Sequence, residues 1–107
     1  MKQETITVYK SELASIRCKE IRNKKDEDQL FWERIDEHDE ENNMIIREKK
    51  EGRFDLEIDP PCLTILNAQM SDSGYYYCCI EYSTSDRKKT VKSKRVHLII
   101  EKSRHIL

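Results

Sequence analysis

The segment "DSGYYYCC", Asp72 to Cys79, constrains the fold of this chain more than any other stretch. Its aspartate, glycine, tyrosine and first cysteine have the spacing D-x-G-x-Y-x-C, and Tyr76 lies two residues before Cys78. Glycine permits a tight turn, and three tyrosines in a row favour an extended strand directly after it. The segment therefore predicts a late strand that is entered through a turn.

Alternating apolar and polar residues predict further strands along most of the chain. In "RFDLEID" (53–59), for example, Phe54, Leu56 and Ile58 share one face. Strands are predicted at 4–10, 13–21, 29–35, 44–50, 53–59, 62–66, 75–84 and 90–100, and at most one short helical turn within 67–74. Seven or eight short strands with turn signals between them are typical of a sandwich or barrel.

Composition limits the chain to one small domain with a thin core. The 107 residues suffice for one core, and the hydrophobic share of 36% suits two sheets that each expose one face to water. Twenty basic residues against 21 acidic ones give a net charge of -1, which argues against nucleic acid or anionic lipid as a partner. We expect one domain over 1–101, followed by a frayed tail or the start of a stalk at 102–107.

"LTILNAQMSDSGYYYC" (63–78) resembles the E-to-F region of an immunoglobulin variable-type domain, "FWER" resembles its strand C, and "RF" (53–54) resembles its strand-D start. The resemblance spans Ile16 to about Ile100. It implies an all-β, immunoglobulin-like, two-sheet antiparallel Greek-key sandwich with an inter-sheet Cys18–Cys78 disulfide. It also implies scaffold roles for Trp32, Arg53, Asp72, Gly74 and Tyr76, with Arg53 and Asp72 placed to pair.

The chain departs from this pattern at two points. Its last strand lacks the "F-G-x-G" of rearranged antigen receptors, which argues against an antibody or T-cell-receptor domain. The stretch from Trp32 to Arg53 is short, so strand C″ is expected to be absent or reduced. The domain then lies between the variable and intermediate sets.

No catalytic or metal-binding pattern is found in the sequence. His38, His97 and His105 fall in a loop, a strand and the tail, and there is no C-x-x-C pair. The carboxylates of 36–41 lack the spacing of an EF-hand loop and are interpreted as a solvated loop. We therefore predict no enzyme activity, no cofactor and no metal.

Two cysteines remain outside the predicted disulfide. Because strand side chains alternate between faces, Cys79 is expected to point out of the sheet that holds strands G, F and C. Cys62 is expected either to point out of the other sheet or to lie in the Pro60–Pro61 turn. On opposite outer faces the two are not expected to bond within one domain. They are candidates for an intermolecular disulfide; the alternative is a spare, partly buried and unreactive thiol.

The outer face of the G-F-C sheet is the predicted partner-binding surface. The mixture of aromatic, aliphatic and charged side chains on strands C and F is typical of a protein interface. The candidate residues are Phe31, Glu33, Ile35, Tyr77, Glu81, Tyr82, Arg87, Arg95 and His97, with Phe31, Ile35 and Tyr77 expected to be exposed. The basic run "DRKKTVKSKR" (86–95) is interpreted either as a charged edge hairpin or as a ligand-facing loop.

These features favour the ectodomain of a cell-surface immune or adhesion receptor that binds a protein ligand or co-receptor. A homodimer is a further candidate, and membrane attachment would need a segment absent from this chain. The alternatives are an intracellular structural immunoglobulin domain of a cytoskeletal array and a secreted viral decoy. The start "MKQETITV" lacks the apolar stretch of a signal peptide, so an extracellular location implies an excised fragment.

Overall fold

The fold was obtained as a computed structural model that describes residues 3–18, 21 and 23–102. The strands are β1 Glu4–Tyr9, β2 Ala14–Arg17, β3 Gln29–Ile35, β4 Asn43–Ile46, β5 Phe54–Ile58, β6 Pro61–Ile65, β7 Gly74–Ser83, β8 Lys88–Lys92 and β9 Val96–Glu101. One 3₁₀ turn, Met70–Asp72, precedes β7. The predicted tail beyond residue 102 and His105 lie outside the described residues.

The strands form two sheets that pack face to face. The larger sheet has the order β1-β9-β7-β3-β4, with β8 beside β7, and the smaller sheet has the order β2-β6-β5. The prediction of an all-β two-sheet sandwich is confirmed. Neighbouring strands are antiparallel except β1, which runs parallel to β9, with Ile6 opposite Leu98. This parallel edge was not predicted, because alternation shows which face a residue occupies but not its partner strand.

Three predicted strands are clearly shorter than expected. The strand predicted over 44–50 is Asn43–Ile46 in the structure. The strand predicted over 90–100 is split into β8 and β9, because Ser93 bonds to the neighbouring strand through its side chain as well as its backbone. Ser93 Oγ accepts a hydrogen bond from Cys78 N at 2.9 Å, and Ser93 N donates to Cys78 O at 2.8 Å. Of the strand predicted over 13–21, the structure contains Ala14–Arg17, and positions 19 and 20 lie outside the described residues. Between β4 and β5 the pairing is limited to an isolated Lys50–Phe54 bridge, as expected for a missing strand C″.

The core lies between the sheets and is closed by the Cys18–Cys78 disulfide, whose Cα atoms are 5.4 Å apart. Trp32 on β3 lies opposite Cys78 on β7 and is almost completely buried. The buried core residues are Ala14, Ile16, Trp32, Ile46, Phe54, Leu63, Ile65, Ala68, Tyr76, Cys78, Val96, Leu98 and Ile100. The disulfide joins the end of β2 in one sheet to β7 in the other, as the resemblance implied.

The turn before β7 is held by Asp72. Tyr76 Oη donates a hydrogen bond to the backbone oxygen of Asp72 at 2.5 Å, and Arg53 Nη2 lies 2.7 Å from Asp72 Oδ1. Burial raises the pKa of Tyr76 above its usual range, so this hydroxyl remains a donor. Gly74 has a positive φ of 154°, and a Cβ at this position would lie 2.7 Å from the backbone oxygen of Ile35. These contacts fix how β7 enters the larger sheet.

Candidate functional site

The outward-facing side of the larger sheet, called here the outer face, brings together most of the predicted partner-binding residues. The β3–β7 register places Phe31 opposite Cys79, Glu33 opposite Tyr77 and Gln29 opposite Glu81. On the adjoining strands, Ile45 lies opposite Glu33, Lys92 opposite Cys79 and His97 opposite Tyr75. Because paired residues point the same way, all of these side chains lie on one side of the sheet.

An ion pair occupies the centre of the outer face. Lys92 Nζ lies 2.6 Å from Glu33 Oε1, and Asn43 Nδ2 donates to Glu33 Oε2 at 3.3 Å. The same ammonium lies 5.3 Å from the centre of the Tyr77 ring. The hydrogen bond to Glu33 raises the pKa of Lys92. The centre is therefore internally neutralised, and its charged groups are held in place before any partner arrives.

Phe31 is buried, which corrects the prediction that it is exposed. Its exposed fraction is 7%, because the Arg47 guanidinium lies over the ring, 4.3 Å from the ring centre. Glu33 is also buried, at 8%, beneath Lys92, whereas Ile35 and Tyr77 are half-buried. Phe31 thus supports the outer face from below, and Arg47 presents the surface that a partner could contact.

Cys79 is on the predicted face but is not the exposed thiol that the sequence suggested. Its exposed fraction is 0%, and its sulfur lies 3.9 Å from Tyr77 O. Burial and, secondarily, the nearby Glu33 carboxylate raise the pKa of the thiol to about 11, whereas Lys92 and Arg47 act in the opposite direction. A protonated thiol without solvent contact is a poor partner for an intermolecular disulfide.

Cys62 lies on the opposite side of the molecule, as expected. It pairs with Arg17 and Glu57 in the smaller sheet, and its sulfur is 3.3 Å from Ser15 Oγ. Cys62 and Cys79 are both free thiols, and Cys62 is the more accessible of the two. An intermolecular bridge through Cys62 stays a prediction.

A cluster around Tyr75 extends the outer face toward β9. The Tyr75 and His97 ring centres are 4.6 Å apart, and the Arg95 guanidinium lies 4.3 Å from the Tyr75 ring centre. Arg95 Nε also donates to Gln3 Oε1. His97 Nε2 is 3.0 Å from Glu37 Oε1 but lies outside hydrogen-bonding geometry. Arg95 and His97 therefore join the predicted face through ring contacts.

The β7–β8 hairpin carries the remaining predicted residues. Thr84 N donates to Arg87 O at 2.9 Å and closes the turn, so the Arg87 side chain is exposed at the tip. Tyr82 lies opposite Lys89. It is four residues after the core residue Cys78 on the same strand, so its side chain is on the same side of the sheet as that of Cys78. It lies at the end of the sandwich, on the side opposite to Tyr77. The basic run therefore forms both a hairpin strand and an exposed tip.

Sequence reasoning missed five residues of the outer face, namely Tyr75 and Lys92, which are described above, and three residues on or directly after β4. Ile45 is 44% exposed beside Glu33, Arg47 covers Phe31, and Asn43 supports the central carboxylate. Adjacent residues of a strand point to opposite faces, so in "NMII" one of the two isoleucines had to face outward. In the structure Ile46 is buried and Ile45 is exposed. The covering role of Arg47 has no local signal, because it depends on the register between β3 and β4.

Within the described ranges, no group of three or more His, Cys, Asp or Glu residues is arranged to hold a metal ion. Among the same residues, we find no apolar helix of the length that a membrane span requires.

Comparison with known proteins gives one finding on the family. The family described as the immunoglobulin V-set domain matches residues 2–101, nearly the whole chain. A comparison with curated proteins finds no match to this chain.

Proposed function

This chain belongs to the immunoglobulin V-set family, and on that premise we propose that it is the protein-binding ectodomain of a cell-surface immune or adhesion receptor. Residues 1–101 form the domain, and the outer face with its adjoining hairpin recognises a protein ligand or co-receptor. No catalytic step is assigned to it.

The observation that carries this proposal is the combination of fixed charges and accessible apolar groups at the centre of the outer face. The Glu33–Lys92 pair and the Arg47–Phe31 contact hold charged side chains in defined positions. Ile45 and Tyr77 lie beside them and remain accessible. A preorganised centre that combines fixed charged side chains with accessible apolar ones loses little side-chain entropy on binding, which favours recognition of a protein surface.

The inter-sheet disulfide supports an extracellular location. Cys18 and Cys78 are 60 residues apart and bond through the core, and such structural disulfides persist in oxidising compartments. The same feature disfavours the intracellular structural alternative, in which both cysteines would be kept reduced.

The experiment compares two exposed isoleucines on different surfaces. Ile45 is 44% exposed on the outer face, and Ile58 is 57% exposed at the end of β5 in the smaller sheet. Fluorescent tetramers of the wild type, Ile45→Arg and Ile58→Arg would be used to stain a panel of leukocyte and epithelial cells. We expect staining by the wild type and by Ile58→Arg, and loss of staining with Ile45→Arg.

Protease treatment of the cells tests the class of ligand. The cells are treated with trypsin before the tetramer is added. If the ligand is a protein, this treatment should abolish the staining. Equal staining by Ile45→Arg and the wild type would contradict the outer face as the binding surface. Staining that survives trypsin would contradict a protein ligand.

A further inference from the structure

The basic run at 86–95 forms a projecting hairpin whose charge is not neutralised within the domain. The run "DRKKTVKSKR" contains six basic residues and one acidic residue. Three consecutive cations, Arg87, Lys88 and Lys89, are exposed. Among the described residues, none of the three forms an ion pair. Three positive charges at this end of the domain are therefore available to a ligand.

The acidic residues of the chain are too far away to cancel these charges. The acidic loop over 36–42 follows β3, whereas the hairpin projects past Gln29, the first residue of β3. Strand β3 has seven residues, so roughly 20 Å of sheet separates the two. Salt screens charges beyond about 8 Å at physiological ionic strength. A ligand at the hairpin therefore meets a basic surface, although the net charge of the whole chain is -1.

Strand β8 is an edge strand, with β7 on one side and no strand on the other among the described residues. Ser93 N donates to Cys78 O, so the Cys78 backbone faces the strand that continues from β8. Two residues later on β7, Ile80 faces the same way and lies opposite Val91. Because successive residues alternate, three residues of β8 turn their N–H groups away from β7, namely Lys88, Thr90 and Lys92.

The cations surround this free edge instead of covering one face. Lys88 and Lys89 are neighbours on β8, so their side chains point to opposite sides of the hairpin, and Arg87 lies at the tip. The outward N–H groups lie between them, about 7 Å apart along the strand. We call Arg87 and the outward side of β8 the hairpin edge. A linear anion along this edge would meet ammonium groups on both sides and N–H donors in the middle.

The composition of the hairpin distinguishes between classes of anionic ligand. Positions 83–95 include no aromatic residue, and their one aliphatic residue, Val91, is half-buried. Single-stranded nucleic acids are bound largely by stacking on aromatic rings, and membrane surfaces by inserted apolar side chains. Protein interfaces likewise depend on aromatic or aliphatic anchors. Cations and N–H donors without apolar anchors favour a ligand that offers only charged oxygens along a chain.

We propose that the hairpin edge binds a linear sulfated polysaccharide, which lies along β8 with its sulfate groups against Arg87, Lys88 and Lys89. This ligand differs in chemistry from the protein ligand of the outer face. Ile45, the exposed apolar residue of that face, is on β4, three strands away from β8. The two binding activities can therefore be tested separately.

The expected binding is weak and depends on salt. Each cation that contacts the polyanion releases a condensed counterion, so affinity falls steeply as salt rises. For three such contacts, raising the salt from about 50 mM to about 150 mM should weaken binding roughly ten- to twentyfold. At the lower salt we expect a dissociation constant on the order of 1–100 µM.

Surface plasmon resonance on immobilised heparin tests the site with the disulfide-intact domain. Arg87→Gln/Lys88→Gln/Lys89→Gln should weaken heparin binding at least about tenfold and flatten its salt dependence. The conservative variant Lys88→Arg/Lys89→Arg keeps the charges and should bind at least as well as the wild type. Circular dichroism melts would verify that each variant is folded.

The matched control removes three exposed cations from other surfaces. Lys10→Gln/Arg17→Gln/Lys50→Gln loses the same charge as the hairpin variant, at positions away from β8. It should bind heparin within about twofold of the wild type, because these charges lie beyond the screening length from the hairpin. An equal loss in the control would show that only the total charge matters and would overturn the site.

A proline substitution tests whether the ligand follows the edge. Thr90→Pro removes an outward N–H group and no bond to β7, which an edge strand tolerates. It should weaken heparin binding about two- to tenfold, the usual value of one hydrogen bond. Thr90→Ser keeps the N–H and hydroxyl groups and should bind as the wild type does. Wild-type affinity in Thr90→Pro would contradict the alignment along β8.

Competition in solution tests the class of ligand. Soluble heparin should displace the domain from the surface. Chemically desulfated heparin, polyglutamate, an oligothymidylate and phosphatidylserine vesicles should not displace it at the same concentration of negative charge. Displacement by desulfated heparin would contradict recognition of sulfate, and displacement by the oligothymidylate would indicate a nucleic-acid site.

The two functions fail separately. A wild type that stains cells through Ile45 but does not bind heparin at about 50 mM salt would refute the hairpin site and leave the proposed function standing. Heparin binding that depends on the hairpin cations, without any cell staining, would do the reverse.

Discussion

The buried thiol of Cys79 provides the sharpest test of the outer face. Cys79 is completely buried, opposite Phe31 on one side and Lys92 on the other. The perturbation is alkylation of the native, disulfide-intact domain with iodoacetamide at about pH 8, where an ordinary thiol is partly ionised. Cys62, half-buried on the other sheet, serves as the comparison within the same molecule.

The magnitude follows from the thiolate fraction. With a pKa of about 11 rather than the ordinary 9.0, Cys79 has about 0.1% thiolate at pH 8, compared with about 10% for an unperturbed thiol. Since the thiolate is the reacting species, the rate falls about 100-fold from ionisation alone. The lack of solvent contact slows the reaction further, until local opening exposes the sulfur.

The assay is time-resolved peptide mass spectrometry of both cysteines, in native buffer and in concentrated guanidinium. We expect Cys79 to be alkylated at least about 100-fold more slowly in the native state than in denaturant. A Cys62→Ser variant would verify that modification of Cys62 does not influence Cys79. Equal native and denatured rates at Cys79 would refute its burial, and with it the packing of Phe31 beneath Arg47.

The same thiol makes stability depend on pH at alkaline values. The folded chain retains the Cys79 proton up to about pH 11, whereas the unfolded chain releases it near the ordinary value of 9.0. The unfolded state therefore binds fewer protons between these values, so the free energy of unfolding falls as pH rises from about 9 to about 11. Denaturant unfolding across this range should have a weaker pH dependence in Cys79→Ala.

Three substitutions test the scaffold through denaturant unfolding. Trp32→Ala truncates a buried core side chain and should lower the free energy of unfolding by about 3–5 kcal/mol; a parental value would contradict the sandwich alignment. Tyr76→Phe leaves the backbone oxygen of Asp72 without its donor and should cost about 1–3 kcal/mol, and an unchanged midpoint would argue against the turn contact. Phe31→Ala should lower the free energy of unfolding by about 2–3 kcal/mol. This is less than for a core phenylalanine, because the side chain that covers Phe31, Arg47, is flexible and exposed. An unchanged free energy of unfolding would indicate that Phe31 is exposed, as the sequence predicted.

Local patterns in the sequence determined the scaffold. The D-x-G-x-Y-x-C spacing, with Cys18 and Trp32 upstream, carries the resemblance to a variable-type domain, and that resemblance implied the sandwich, its disulfide and the Arg53–Asp72 pair. Strict two-residue alternation also determined which side chains of β3 and β7 share the outer face. These predictions succeeded because a strand has only two faces and because the glycine turn at Gly74 fixes the phase of β7.

Only the tertiary structure decided which of those side chains reach solvent. Phe31 and Cys79 lie on the outward side of their strands, yet both are buried. Arg47, which directly follows β4, lies over the Phe31 ring, and Lys92 on β8 lies beside Cys79. The parallel edge of β1 and the break at Ser93 also depend on which strand lies alongside. Alternation shows to which side of the sheet each side chain points. Whether it reaches solvent depends on long side chains that lie over it, and these come from segments distant in sequence. No local pattern encodes that contact.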